Sequence, residues 1–281
     1  MIPPGPFGIV CHYFHGDGHP KMTGSLSADD LRRLLDTCGS RVRRIDDWMP
    51  HLTDDIVVTF DDGLREAFDV ALPVLEERGL TAAWLVPTAP LIGVPLAMER
   101  HRRIRDTWLG GVEDFYRTFN NRVWSHDIPE DYLADRTYLS RAARQFRYIR
   151  NEVLTPSGFD EYMDKFVSAG PFNPAIHWLS ANDLRVLRDA QHHVGLHTHT
   201  HQMSLAKLTK EQQAAELATS KWILEQVLGE PVTSGAWPCG AFTDFAMQWC
   251  KDNGVTLMWG ATMAGSFPYN VPRWSAGNWA P

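Results

Sequence analysis

Two adjacent carboxylates, Asp61 and Asp62, directly follow the strand-forming run Ile56 to Phe60. Gly63 comes next and lets the chain turn sharply, because glycine tolerates backbone angles that other residues avoid. Strand ends are where α/β barrels and sheets present their chemical groups. Since neighbouring strand residues point to opposite sides, we expect different roles for the two carboxylates, one at a metal and one as a proton acceptor. Capping of the helix that starts near Leu64 is the alternative.

Histidines with a spacing suited to metal binding occur in the stretch Gly195-Leu-His-Thr-His-Thr-His201. His197 and His201 are four residues apart, so a helix or a tight turn after a strand would place both imidazoles on one side. His199 lies between them and would face the same side if the strand continued. Two histidines and one strand-end aspartate form a metal site that leaves coordination positions open for water and substrate.

Strands and helices alternate on both sides of these residues. Expected strands are 7–13, 56–60, 81–86, 194–196, 232–237 and 255–259, with one more short strand in 268–274. Expected helices are one starting after Ser27, then 64–78, 180–190, 209–228 and 243–252. Such alternation predicts an α/β fold with parallel strands and helices packed outside them. A length of 281 residues is normal for a single α/β barrel.

The alternation of strands and helices stops between about residues 88 and 176. Helical stretches rich in arginine and aromatic residues replace the strands there. We interpret the chain as a single domain, 1–281, with a mostly helical insertion over one end of the barrel. Its arginines either meet an anionic substrate such as a sugar nucleotide or form a solvated face.

Composition excludes several classes of protein. A net charge of −7 argues against general nucleic-acid binding, and 44% hydrophobic residues are enough for a large core. No apolar run approaches the length of a membrane span, and no signal peptide is evident at the N-terminus. Because the four cysteines are scattered and suit a reducing compartment, we expect a cytoplasmic protein.

The motifs resemble those of the polysaccharide deacetylase family, also called the NodB-homology domain or carbohydrate esterase family 4. Thr59-Phe-Asp-Asp-Gly63 and His197-Thr-x-x-His201 are similar to its first two motifs. Ala236-Trp-Pro-Cys-Gly240 is similar to the third, usually Arg-x-Pro-x-Gly, and Trp178-Leu-Ser also has the look of the family. The resemblance covers most of the chain outside the insertion.

This resemblance implies a distorted (β/α)7-type barrel and a metal-dependent hydrolase that removes an acetyl group from an N-acetylated sugar. By position, Asp61 would be the general base, and Asp62, His197 and His201 would bind one divalent metal, usually zinc. A backbone N–H in the third motif would help to stabilise the oxyanion. The residues expected to contact the substrate are Thr198, Trp237, Pro238 and Gly240.

Two departures from the family pattern concern the proton-transfer residues. Ala236 stands where the family has the arginine that orients the base, and Arg273 could reach the base from a neighbouring strand end. The usual acid is a late histidine, but no histidine follows His201. His12, at the end of the first strand, would take that place as in permuted members, since the first and last strands of a barrel are neighbours. His15 is the fallback.

Several functions remain open at this stage. With a cytoplasmic location, the substrate would be a small N-acetylated sugar, a sugar nucleotide or a lipid-linked intermediate rather than a wall polymer. A related hydrolase would act on a non-sugar amide or ureide. A non-catalytic carbohydrate-binding protein would not need the complete set of Asp61, Asp62, His197 and His201. A metal-dependent oxygenase could use the same ligands, but the second carboxylate favours hydrolysis.

Overall fold

The computed structural model describes residues 2–49, 54–124, 127–134, 139–166 and 177–278. The chain forms two compact units, one made of Met1–Pro95 with Pro174–Pro281 and the other of Leu96–Asn173. No helix within the described residues is both long enough and apolar enough to cross a membrane.

The first unit is built on seven strands. They are β1 (Phe7–Cys11), β2 (Ile56–Phe60), β3 (Ala83–Val86), β4 (His193–Leu196), β5 (Ser234–Ala236), β6 (Leu257–Trp259) and β7 (Arg273–Ser275). They form one parallel sheet in the order β6-β5-β4-β3-β2-β1-β7. Trp259 of β6 also bridges Val271, two residues before β7, so the sheet nearly closes on itself. The predicted distorted (β/α)7 barrel is therefore confirmed.

Nine helices occur in the described residues. They are α1 (Ala28–Cys38), α2 (Arg65–Glu77), α3 (Ala97–Asp106), α4 (Gly111–Val123), α5 (Arg141–Tyr148), α6 (Pro156–Asp164), α7 (Ala181–Asp189), α8 (Lys210–Leu228) and α9 (Asp244–Asp252). Capping boxes begin α1 at Ser27, α7 at Ser180 and α8 at Thr209. In each box the hydroxyl accepts a backbone N–H that the helix leaves unbonded, which fixes where the helix starts.

Alternate residues of the strands enter two separate apolar clusters. Ile56, Val58 and Phe60 of β2 belong to the large cluster that the strands share with the barrel helices. The intervening positions contribute to a smaller cluster inside the barrel that contains Val57, Ala83, Leu85, Ala236, Trp259 and Val271. Trp48 stacks on Trp259 with ring centroids 4.9 Å apart. Burial on both faces explains why these strands are continuously apolar rather than alternating.

Predicted and observed strand bounds differ mainly at the ends. β1 ends at Cys11, so His12 and Tyr13 lie beyond the strand. The strand predicted within 268–274 was wrong in its bounds, because β7 begins only at Arg273. Residues just before it bond to β6 instead, with Pro268 accepting from the N–H of Met258.

The second unit has helices α3 to α6 and, within its described residues, no strand. Its core is an aromatic cluster that includes Phe115, Phe119, Phe146, Phe159 and Phe166. Residues 88–95 group with the barrel unit, and the predicted start of the insertion, at about residue 88, stays a prediction. Its predicted end, near residue 176, lies outside the described residues, and its placement over the barrel stays a prediction.

Several arginines of the second unit pair with acids of the same unit. Arg141 lies 2.6 Å from Asp127, and Arg102 lies 3.0 Å from Glu99 with both side chains buried. These pairs favour a structural role for the arginines that carry them over contact with an anionic substrate.

Candidate active site

Three potential metal ligands come together where β2 and β4 end. Asp62 follows β2 and His197 follows β4, while His201 lies in the turn after His197. Nε2 of His197 and Nε2 of His201 lie 3.4 Å and 3.2 Å from Oδ1 of Asp62. One ligand atom from each residue lies within 4.8 Å of the others, and all three residues are buried. The barrel thus brings together the predicted ligand set.

The backbone around these ligands is strongly bent. Asp62, Thr198 and His201 have φ angles of 70°, 58° and 54°, a left-handed region that residues other than glycine rarely adopt. Gly63 also has a positive φ, 62°, and a Cβ there would lie 2.9 Å from the Val86 side chain. Such strain clusters at functional sites, where the surrounding structure must hold it in place.

The tautomer of His197 is set by a carbonyl group. Its Nδ1 lies 3.0 Å from the carbonyl oxygen of Ala236. Because a carbonyl only accepts hydrogen bonds, Nδ1 carries a proton and Nε2 is the ring nitrogen that faces Asp62. Burial disfavours the charged imidazole, but the carboxylates of Asp61 and Asp62 outweigh burial and raise the pKa of His197. A ring whose Nδ1–H is held by a backbone carbonyl while Nε2 faces the other ligands is typical of metal-ligating histidines.

The carboxylate of Asp62 fits a cation better than it fits its protein neighbours. Its Oδ1 is buried and, among the described residues, makes no hydrogen bond of normal geometry, although two imidazole nitrogens lie nearby. Burial raises the pKa of this carboxyl group, but His197 and His201 overcome that effect and hold the pKa well below its usual range. One carboxylate oxygen and two imidazole nitrogens therefore face each other as the donors that divalent metals such as zinc prefer.

Asp61 makes a different set of contacts. Nη1 and Nη2 of Arg273 donate to its two carboxylate oxygens over 2.6 Å and 2.7 Å, and both residues are buried. Arg273 Nη1 also donates to the Thr59 hydroxyl over 3.2 Å, and its Nε donates to the carbonyl of Gly260. Arg273 thus reaches the predicted base, as the sequence suggested it could.

Gly8 makes that reach possible. It pairs with Arg273 across the β1–β7 ladder, and β1 separates β7 from β2, which leads to Asp61. A Cβ at Gly8 would lie 3.2 Å from Cγ of Arg273 and 2.8 Å from the ring of Trp259. The missing side chain therefore leaves room for Arg273 beside β1.

The two aspartates also differ in electrostatics. Burial raises the pKa of Asp61, but the charges of Arg273 and His197 and the hydrogen bonds from Arg273 outweigh it and lower the pKa. Asp61 is therefore ionised at neutral pH. Its Oδ2 lies 3.9 Å from Nε2 of His197, which places it beside the Asp62 cluster.

His12 lies at the open side of Asp61. Its Nε2 is 3.8 Å from Oδ2 of Asp61, too far for a hydrogen bond, and 37% of its side chain is exposed. His15, the fallback, lies beside Ser25, with its Nδ1 3.0 Å from the hydroxyl oxygen. Of the two histidines, His12 is thus the one that the structure places beside Asp61.

The third motif, residues 236–240, offers fewer groups for substrate contact than the sequence predicted. Trp237 is fully buried, its indole N–H donates to the carbonyl of Tyr269 over 2.8 Å, and its ring stacks on Phe242. The backbone N–H groups of Trp237 and Gly240 donate to the carbonyls of Trp259 and Trp237. The structure therefore places the Trp237 indole in the core, and both N–H groups are already bonded.

The other predicted substrate contacts differ in exposure. Thr198 and Pro238 are buried, and Gly240 is partly buried. Their role in substrate binding stays a prediction.

Two contacts in the histidine turn were not predicted from the sequence. His199 does not join the ligands, because β4 ends at Leu196 and its Nδ1 lies 2.9 Å from the Thr88 hydroxyl. Glu216 of α8 accepts three hydrogen bonds from His199 and Thr200. No local pattern marks this contact, because Glu216 is one of several polar residues on a long helix.

A known protein family matches the part of the chain that carries both histidine ligands. The family model described as polysaccharide deacetylase matches residues 163–258, a range that contains His197, His201 and the third motif. The resemblance to the polysaccharide deacetylase family is confirmed. The matched range does not include the Asp61–Asp62 pair, which joins the site through the fold. No curated protein matches the sequence.

Three solved structures share this fold at TM-scores above 0.5. Streptococcus pyogenes deacetylase PplD, in complex with acetate, has a TM-score of 0.55 and 14% identity, with 98% of this chain and 93% of that chain covered. IcaB from Ammonifex degensii has a TM-score of 0.57 and 15% identity over 96% and 91% of the chains. A de-N-acetylase from Aggregatibacter actinomycetemcomitans has a TM-score of 0.56 and 13% identity over 98% and 96%. At these identities the likeness is one of fold.

Proposed function

We propose that this protein is a metal-dependent hydrolase that removes the acetyl group from an N-acetylated sugar. One observation carries the proposal, the buried cluster of Asp62, His197 and His201 with a second, ionised carboxylate, Asp61, beside it. The match to the polysaccharide deacetylase family and the fold shared with solved deacetylases support it.

The proposed metal ligands are Asp62, His197 and His201. A divalent cation supplies Lewis-acid chemistry, since it polarises a carbonyl group and makes water a better nucleophile at neutral pH. The carbonyl of Ala236 keeps the His197 ring in the orientation that this binding needs.

Asp61 is the proposed general base. Its carboxylate is charged at neutral pH and lies next to the metal ligands, so it can accept the proton of a water that attacks the acetyl carbon. The two parallel bonds from Arg273 hold the carboxylate plane in one orientation. Arg273 also makes Asp61 a weaker base, so its main contribution is position.

His12 is the proposed general acid. Water adds to the acetyl carbon, and the carbon–nitrogen bond then breaks, which leaves acetate and an amine. The amine nitrogen needs a proton to leave, and the partly exposed His12 imidazole, 3.8 Å from Asp61, lies where it can deliver one.

The deciding experiment pairs metal analysis with substrate screening. Mass spectrometry of the purified protein measures metal content. Acetate release is measured on N-acetylated monosaccharides, sugar nucleotides, N-acetylglucosamine oligomers and non-sugar acetamides. We expect about one divalent metal per chain and release of acetate from an N-acetylated sugar. Addition of a chelator should abolish this acetate release. Metal with hydrolysis of non-sugar amides alone would change the substrate class, and failure to bind any metal would reject the proposal.

The same panel tests two further predictions from the sequence. A preference for sugar nucleotides or monosaccharides over oligomers would agree with a small substrate. The expected cytoplasmic location stays a prediction, which fractionation of cells that express the tagged protein would check.

A further inference from the structure

Glu216 of α8 holds the turn that carries both histidine ligands. Its Oε2 accepts the backbone N–H of His199 over 2.9 Å and the backbone N–H of Thr200 over 2.8 Å. Its Oε1 accepts the hydroxyl of Thr200 over 2.7 Å. Both oxygens of one carboxylate are thus bonded to residues that lie between His197 and His201.

This turn needs support because its backbone is strained. Thr198 and His201 flank the residues that Glu216 binds, and both adopt left-handed φ angles, 58° and 54°. Such a conformation is unfavourable for a residue with a side chain and persists only where the surrounding structure enforces it. Hydrogen bonds to a charged acceptor are among the stronger ones in proteins, so Glu216 can offset part of that cost.

The opposite side of the turn is anchored to the segment after β3. The backbone N–H of Ala89 donates to the carbonyl of His199 over 2.9 Å, and the Thr88 hydroxyl lies 2.9 Å from Nδ1 of His199. The turn is therefore held by hydrogen bonds from two elements, the segment after β3 and helix α8. Glu216 makes the bonds on the α8 side. These hydrogen bonds involve His199 and Thr200 and not the side chains of His197 and His201.

We propose that Glu216 is a positioning residue that preorganises His197 and His201 for metal binding. The proposal rests on the function proposed above, since it assumes that these histidines bind a cation. A carboxylate that fixes the backbone between two ligands lowers the cost of bringing both imidazoles to one ion. Loss of such an outer partner typically weakens metal binding 10- to 100-fold.

Glu225 provides a matched control on the same helix. It is also half-buried, accepts the backbone N–H of Val232 over 3.1 Å and pairs with the Lys221 ammonium, but it lies near the other end of α8. Replacement of Glu225 by alanine removes these bonds without touching the histidine turn. If Glu216 only fastened α8 to the barrel, Glu216→Ala and Glu225→Ala would behave alike.

The experiment titrates metal-free wild-type protein, Glu216→Ala, Glu225→Ala and Glu216→Gln with Zn²⁺ and with Co²⁺. We expect the dissociation constant of Glu216→Ala to rise 10- to 100-fold and its Co²⁺ absorption spectrum to change. Glu225→Ala should match the wild type in both. Glu216→Gln should recover part of the affinity, because a carboxamide oxygen can still accept the two backbone N–H groups.

Each outcome decides a different claim. If the wild type binds metal and Glu216→Ala binds it within twofold of Glu225→Ala, the positioning role is wrong. If the wild type binds no metal, the proposed function fails and this inference fails with it. Should Glu216→Ala not fold, Thr200→Val removes the hydroxyl bond to Glu216, together with the bond that the hydroxyl accepts from Gln202, and keeps both backbone bonds. An affinity severalfold weaker than that of the wild type then supports the proposal, and an unchanged affinity overturns it.

Discussion

Arg273 and Asp61 form a buried, bidentate ion pair between residues that are 212 positions apart in the chain. Arg273 belongs to the last strand, β7, and Asp61 follows the second, β2. β1 lies between these strands and carries a glycine opposite Arg273. The sequence places alanine, Ala236, where the family motif has its arginine, so an arginine from another strand supplies the guanidinium that orients Asp61.

Replacement of Arg273 by lysine tests this pair. A lysine ammonium cannot make two parallel bonds to one carboxylate, so we expect kcat to fall by about 10- to 100-fold with a smaller change in KM. Lost bonds to the buried carboxylate should lower the free energy of unfolding by about 1–3 kcal/mol. Steady-state kinetics and chemical denaturation measure the two effects.

Arg32 is the matched control for Arg273→Lys. It also binds one carboxylate with two bonds, to Glu77 over 3.0 Å and 2.8 Å, but on the surface. Because exposed pairs contribute only about 0–1 kcal/mol, Arg32→Lys should leave kcat unchanged and stability nearly so. Equal effects of the two substitutions would show that Arg273 has no special role at Asp61.

Replacement of Asp61 by asparagine tests whether Asp61 and Asp62 have different roles. Asparagine has nearly the same shape but cannot take a proton, so acetate release should fall by at least about 100-fold. Metal content should be retained, because Asp62, His197 and His201 are intact. His201→Ala is the complementary variant and should lose metal. Loss of metal in Asp61→Asn instead would mean that Asp61 is a ligand and that the two roles are exchanged.

Replacement of His12 by alanine tests the proposed acid. We expect kcat to fall by about 10²- to 10⁴-fold, because the leaving amine loses its proton donor, while KM changes little. His15→Ala serves as the control, since His15 contacts Ser25 in the same loop. A normal rate for His12→Ala together with a low rate for His15→Ala would move the acid to His15.

Local signals in the sequence predicted much of the fold. The bounds of β2 were predicted correctly, because an apolar run ends abruptly at charged residues. Three helix starts followed from capping boxes, which depend on residues only three positions apart. The ligand set of Asp62, His197 and His201 followed from strand ends that a parallel barrel must bring together.

Local sequence signals could not predict contacts between distant elements or unusual backbone conformations. Glu216 meets His199 from a different element, and no local pattern marks that contact. The left-handed φ angles of Asp62, Thr198 and His201 depend on the surrounding structure, since none of these residue types requires them. The reach of Arg273 depended on the pairing of the first and last strands, which the barrel prediction made reasonable without giving its geometry.

His192 should make the stability of the barrel depend on pH. Its buried Nδ1 accepts the backbone N–H of Ala82 over 3.0 Å and the indole N–H of Trp84 over 3.2 Å, so the ring is neutral. Burial, with the charges of Arg44 and His193, lowers its pKa from 6.5 to about 4. Below pH 6.5 the unfolded chain therefore binds a proton that the folded chain does not, and stability is lost as the pH falls towards 4. The loss from this group should be about 2–3 kcal/mol.

Chemical denaturation between pH 7.5 and pH 4.5 measures that loss in the wild type and in His192→Asn. Asparagine keeps an acceptor near the position of Nδ1 but does not titrate, so its stability should fall less steeply over this range. Other groups, such as the buried His101 with a pKa of about 4, titrate in both proteins and cancel in the comparison. Parallel curves for the two proteins would show that His192 does not stay neutral in the folded state.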